Sequence, residues 1–211
     1  MKPKIVFIIL LLGATVRFVE AQTVGEMFIK MPESELLTLT ASHRSDLINL
    51  YKAGKNATIK NRFEDSCSII SMKEEYLQIR TGNHTLEMFL LPMINDSKII
   101  GLIQTVCAPV CDSQLEFFTT SWKKLTTSVF ISFAGKYDFL KEGVNREEEK
   151  VKNALIPLDI FLMQLRYNPE NRELQQFYTT PDYLSETDRI AVKPYLIDVP
   201  KRFKWNLTRF E

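Results

Sequence analysis

The sequence predicts an α+β protein, with N-terminal helices followed by an antiparallel β-meander. Three observations predict it. Residues 86–122 hold three apolar runs rich in β-branched and aromatic residues, separated by Asn95-Asp96-Ser97 and by the turn-forming stretch 109–113. Leu47, Leu50 and Tyr51 fall three and four apart, the spacing of one helix face. The helical signals come first and the strand signals follow, a segregation that indicates α+β rather than a parallel α/β sheet.

Taken in order, residues 24–31 form a short amphipathic start. Pro32-Glu33-Ser34-Glu35 suits a first helical turn, because proline is tolerated there and acids favour the positive end of a helix. Leu36, Leu37 and Leu39 give that helix its apolar face. Thr40 or Ser42 caps a second helix running through residues 46–51, and Gly54 ends it. Residues 57–63 alternate in part, with Ile59 and Phe63 as the larger apolar members. Residues 67–72 and 76–80 read as a hairpin around Lys73-Glu74-Glu75, and Thr81-Gly82-Asn83 as the next turn. With the central meander, the first half is two helices followed by strands in sequence.

The second half is less regular. Residues 126–133 read as a strand and residues 136–142 as one or two helical turns. Arg146 to Lys152 is a charge run, read as a solvated helix face or an exposed loop. Residues 160–167 and 173–180 form a hairpin turned by Asn168-Pro169-Glu170-Asn171. Pro181 starts a helical stretch, Ser185 or Thr187 caps the segment around 190–192, and Pro194 limits it. Residues 202–210 alternate aromatic and polar side chains, as an edge strand does. Leu115-Glu-Phe-Phe-Thr-Thr-Ser-Trp122 echoes Leu174-Gln-Gln-Phe-Tyr-Thr-Thr-Pro-Asp-Tyr183. The echo reads either as a tandem repeat of two helix-plus-sheet half-units or as ordinary strand composition. The expected organisation is a leader over residues 1–21, a first α+β half-unit over 22–127, and a second over 128–211 packed with the first as one domain.

Lys2 and Lys4 give a positive start, residues 5–13 are almost unbroken aliphatic, and Val19-Glu20-Ala21 offers a signal-peptidase site with cleavage after Ala21. The apolar run is too short to span a bilayer comfortably. Removing 21 of the 211 residues leaves 190, enough for one sizeable core. The leader carries Lys2, Lys4 and Arg17 against Glu20, so the net +1 of the whole chain becomes −1 without it. That balance gives no electrostatic reason to expect nucleic acid or an anionic membrane as partner. No second long apolar segment follows, so no transmembrane segment is expected in the mature chain. The expected location is periplasmic or secreted.

Cys107 and Cys111 flank Ala-Pro-Val, a plausible turn, and an oxidising compartment favours their pairing. The other reading makes Cys67 and Cys107 ordinary buried strand residues. The three-residue spacer does not match a redox motif, and two thiols alone do not close a metal site. His43 and His84 stand in no recognisable nucleophile context and read as solvated surface residues. No nucleophile elbow and no phosphate-cradling glycine loop is present. A glycosidase pair of carboxylates is spatial, and sequence leaves it open. Four Asn-x-Ser/Thr triplets begin at Asn56, Asn83, Asn95 and Asn206, in predicted turns or chain ends. Trp122, Trp205, Phe117, Phe118 and Tyr178 read either as an aromatic binding face or as core. No catalytic, cofactor-binding or metal-ligating residue is assigned, and no cofactor is expected.

Met27-Phe28, Met31-Pro32-Glu33-Ser34, Leu39-Thr40 and Arg44-Ser45-Asp46-Leu47-Ile48 are followed by Glu75-Tyr76-Leu77, Leu86-Glu-Met-Phe-Leu-Leu-Pro92 and Phe117-Phe-Thr-Thr-Ser-Trp122. In that order and spacing they resemble an uncharacterised secreted family of Bacteroidales, the domain of unknown function numbered 3256. The resemblance covers the first half closely and the rest loosely. It implies a bacterial exported protein with unglycosylated triplets, and it carries over no activity and no catalytic residue. The paired cysteines are not a feature associated with that family. A tandem repeat like that of β-lactamase-inhibitor-type and PepSY-like periplasmic folds fits the helix-then-meander order as an analogy of fold only. The expectation is an exported, non-enzymatic periplasmic protein that binds a periplasmic or outer-membrane protein, or another envelope component, through its sheet. The alternatives are a carboxylate-dependent hydrolase acting on envelope glycans and a structural or folding accessory.

Overall fold

Residues 23–211 are described by the computed structural model; the predicted leader and its cleavage point after Ala21 lie outside them. The fold begins with α1, Val24–Ile29, capped by the Thr23 hydroxyl, which accepts from the Glu26 N–H at 3.3 Å. Helix α2, Ala41–Lys52, starts at Thr40. The Thr40 hydroxyl accepts from the His43 N–H at 3.2 Å, and His43 Nδ1 accepts from the Thr40 N–H at 3.4 Å. This reciprocal pair satisfies two helix-end donors at once. Gly54, at φ 67°, takes the left-handed conformation just past the end. Between the helices, Glu33–Glu35 is a single 3-10 turn rather than the expected helix. One turn has no continuous face, and its leucines divide: Leu39 is buried and Leu37 is 65% exposed.

The strands β1 Thr58–Lys60, β2 Ser66–Met72, β3 Tyr76–Thr81, β4 His84–Pro92, β5 Lys98–Cys107, β6 Cys111–Thr119 and β7 Lys124–Leu125 form one antiparallel sheet in sequence order. Gly82, at φ 58°, makes the two-residue turn between β3 and β4. The central strands are buried on both faces, which is why their sequences read as continuous apolar runs rather than as alternation. Leu77, Ile79, Leu86, Met88, Ile100, Leu102 and Phe118 pack beneath α1 and α2. Phe89, Leu91, Ile103, Leu115 and Phe117 face the other way. Gly101 stands opposite Phe89 in the register, and a Cβ there would fall inside the Phe89 ring. The missing side chain is what lets Phe89 lie flat, stacked on Tyr167 with centroids 3.8 Å apart.

Residues 126–133, expected as a strand, instead contain a helical turn, α3, Thr127–Phe130. Their β-branched composition favours a strand locally. The turn wins because it buries Phe130 against Phe117, centroids 4.9 Å apart. Beyond α4, Glu149–Leu155, come β8 Met163–Asn168, β9 Glu173–Tyr178, α5 Thr180–Tyr183, α6 Glu186–Val192 and β10 Lys201–Lys204. The last three strands form a second antiparallel sheet in the order β10-β9-β8. The two echoed segments are β6 with its following turn and β9 with α5; the element order around them differs.

The small sheet packs on the large one. Leu165, Tyr167, Leu174, Trp205 and Phe210 share one cluster with Phe89, Leu91 and Phe117. Strand β8 presents its free edge to the large sheet. Its N–H groups at Met163, Leu165 and Tyr167 donate to Asp112 Oδ1 (3.1 Å), Ser113 Oγ (3.0 Å) and Glu87 Oε2 (3.2 Å). The turns at the far end are tied by the ion pair Lys73–Glu170 and by Glu75, which sits 2.6 Å from Lys98 and 3.6 Å from Arg172. Among the described residues no helix is long and apolar enough to cross a membrane.

Candidate functional site

Alternation along the strands places the candidate site. Leu165 and Tyr167 point into the shared core, so Gln164 and Arg166 point out of it. On the large sheet, Gln78 and Arg80 of β3 and Thr85 and Glu87 of β4 share the face on which β8 lies, being cross-strand partners. These side chains line a groove of about 350 Å³ in the angle between the sheets. Thr105 and Cys107 close one end of it. There the Cys107–Cys111 disulfide joins β5 to β6. The Cys107 N–H donates to Asn83 O at 3.2 Å and the Asn83 side-chain amide donates to Cys107 O at 3.3 Å, which tethers that hairpin to the neighbouring one.

The floor of the groove is Glu87, only 5% exposed. Its Oε2 accepts from the Tyr76 hydroxyl at 2.8 Å and from the Tyr167 N–H. Burial pushes its carboxyl above the ordinary carboxylate value, against the opposing pull of those two hydrogen bonds and of the Arg166 charge. Burial, and then the Glu87 charge, push the Tyr76 phenol up, so it stays protonated and keeps donating. The Tyr167 phenol is pushed up by burial as well.

The walls are cationic. Arg80 and Arg166 are both exposed, and among the described residues neither makes an ion pair. The Arg166 guanidinium lies 4.9 Å from the Phe177 ring centroid and donates to Gln164 Oε1 at 3.1 Å, which orients it along the surface. The polar surface continues on both sides. Ser68 pairs with Arg80, Thr58 with Ser68 and Lys60 with Ser66, so this side of the large sheet presents hydroxyls and a lysine. The outward face of the small sheet adds Gln175, Arg202 and Lys204, with Arg202 paired to Glu173 at 2.8 Å.

A second cleft, about 530 Å³, lies where β9 meets α5 and α6. Its charges are mixed, and three of the six are engaged. Arg189 pairs with Glu186, and Lys141 donates to Pro194 O at 2.7 Å. Among the described residues no three His, Cys, Asp or Glu side chains are grouped to hold a metal ion.

The family described as Protein of unknown function (DUF3256) matches residues 16–210. The chain belongs to this family. The DUF3256 chain is also similar to a solved domain of an uncharacterized protein from Porphyromonas gingivalis W83, with a TM-score of 0.79 and 26% identity over 88% of this chain and 96% of that one. No curated protein matches it.

The side chains singled out from the sequence have other work in the DUF3256 chain. His43 is half of the α2 cap, and His84 is exposed at the start of β4. Phe117, Phe118 and Trp205 are core. The Trp122 indole N–H donates to Met27 O at 3.1 Å, and Tyr178 clusters with Phe139 and Phe161, stacked against each. They form no common binding face, because β-strand alternation sends Phe117 and Phe118 to opposite sides of the sheet. Cys67 is a buried free thiol pushed up to about 11 by burial, and so chemically inert. In three of the four triplets the asparagine Oδ1 accepts the hydroxyl two residues on: Thr58 at 2.8 Å, Ser97 at 2.7 Å and Thr208 at 2.6 Å. These triplets are turn chemistry. Arg80, Glu87 and Arg166 went unread. One signal was present: Glu87 is a lone acid inside the apolar run from Leu86 to Leu91.

Proposed function

We propose that this chain is exported and works in the periplasm or outside the cell as a non-enzymatic binding protein, holding a protein or another envelope component through its sheets. The observation that carries the reading is the groove between the sheets, with two exposed arginines that make no ion pair among the described residues, above a hydrogen-bonded floor. Binding sites commonly combine a preformed concavity with a few oriented polar groups. The floor supports binding rather than chemistry. Glu87 is the single carboxylate among the groove-lining residues, and its Oε2 already accepts two hydrogen bonds. Export is supported by the leader pattern of residues 1–21 and by the Cys107–Cys111 disulfide, a bond typical of oxidising compartments.

Crosslinking capture from the native envelope tests the reading. Arg80→Glu with Arg166→Glu should reduce a captured component roughly tenfold or more, since reversing interfacial charges costs affinity steeply. Lys193→Glu, in the other cleft, should leave capture intact. Capture that is equal in all three proteins would exclude the groove as the binding site.

A further inference from the structure

Resting on that binding reading, we infer that the occupant of the groove is an acidic glycan, a carbohydrate chain whose sugar carboxylate sits between Arg80 and Arg166. Three features of the surface select this chemistry. The first is charge. Lys60, Arg80, Arg166, Arg202 and Lys204 lie on the open faces that flank the groove, against Glu173, which Arg202 already engages, Asp112, which receives the Met163 N–H at the edge, and Glu87, which is buried in the floor. An arginine fork reads a carboxylate with two parallel hydrogen bonds.

The second feature is the neutral lining. Gln78, Thr85 and Gln164 offer amides and a hydroxyl, each able to donate and to accept. A sugar ring presents hydroxyls that both donate and accept, and this lining complements them. The third feature is the backbone. An extended peptide binds a sheet by adding a strand along a free edge. The edge of β8 that borders the groove is spent: its outward N–H groups at Met163, Leu165 and Tyr167 already donate to Asp112, Ser113 and Glu87. Recognition here falls to side chains, which suits a chain with no peptide ladder to extend.

Calorimetry on the mature protein tests the assignment. The probes are short oligomers of galacturonate, of mannuronate with guluronate, and of glucuronate with N-acetylglucosamine, together with methyl-esterified oligogalacturonate and poly-L-glutamate. At least one acidic oligomer should bind, weakening as salt rises. Its neutral counterpart should bind at least tenfold more weakly; for the galacturonate series the methyl ester is that counterpart. Arg80→Ala with Arg166→Ala should lose tenfold or more, and the double lysine variant should recover part of it, keeping the charge without the fork. Arg189→Ala should bind as the parent does. No binding by any acidic oligomer, binding indifferent to esterification, or tighter binding of poly-L-glutamate would overturn the assignment. If envelope capture still depends on Arg80 and Arg166 in those cases, the glycan falls and the binding reading stands. If capture ignores both arginines, the two fall together.

Discussion

Two buried charges show how single residues are accommodated. Arg44 is 1% exposed, and its guanidinium donates to Leu39 O at 2.6 Å and to Met31 O. It ties the end of the first helical segment to the start of the second, with backbone carbonyls as its partners. Burial lowers its pKa, against the pull of Glu33. Glu87 is held by Tyr76 and Tyr167, and burial raises its carboxyl above the ordinary carboxylate value. The native state therefore binds a proton that the unfolded chain releases. This contribution is complete below the unfolded value and is lost as pH rises through the folded one. Glu87→Gln removes the titration. Its thermal midpoint, measured against the parent from pH 4 to pH 8, should gain on the parent as pH rises from the unfolded value through the folded one, and then level off. A constant difference would show that Glu87 is not the group responsible.

At the scale of elements, β8 is the decisive strand. An edge strand carries unpaired backbone donors. Here those donors are received by side chains of the other sheet, and the small sheet is thereby placed and its edge closed. Ser113 is the buried hydroxyl of that set: it lies 2.8 Å from Thr105 Oγ1 and accepts the Leu165 N–H. Ser113→Ala should cost about 1–3 kcal/mol in denaturant unfolding, the penalty of leaving a buried N–H unmet. It should also speed hydrogen exchange at Leu165 more than at Leu174. A loss below a few tenths of a kcal/mol would mean that the docking is held by apolar contact alone. The pairing of Gly101 with Phe89 belongs to the same junction, since a flat Phe89 is the platform on which Tyr167 of β8 rests.

In the whole molecule the large sheet is a wall between two cores. One lies under α1 and α2; the other is built jointly from residues before and after position 127. The second part of the chain cannot bury Leu165, Tyr167 and Trp205 without the first, and the first leaves Phe89, Leu91 and Phe117 bare without the second. Unfolding should then be a single transition. The two tryptophans test this directly. Trp122 packs on the helix-side core and Trp205 in the joint one, so Trp122→Phe and Trp205→Phe each leave one local reporter. Each single-tryptophan protein should show its fluorescence change at the midpoint read from its own far-ultraviolet circular dichroism. A midpoint several degrees apart within either protein would show that the cores melt separately.

Much of the fold was legible because it is local. The meander is written in runs of strand-forming residues broken by Asn95-Asp96-Ser97 and Gly82-Asn83, and α2 in Thr40 and Gly54. Neighbours within a few residues decide turns, caps and alternation, and these can be read in order along the chain. The exceptions are equally physical: residues 127–130 became a helical turn because Phe130 found Phe117, a contact invisible to local composition. Of the candidate site only Glu87, a lone acid in an apolar run, left a mark in the sequence. Glu87 and Tyr167 stand 80 residues apart, and Arg80 and Arg166 line one groove from two sheets joined by no turn signal. The sequence by itself determined α2, the strands of the meander and that those strands follow one another. Only the tertiary structure decided where the second sheet lies on the first, and with it the groove, because that placement depends on pairing β8 donors with side chains that the chain order keeps far apart.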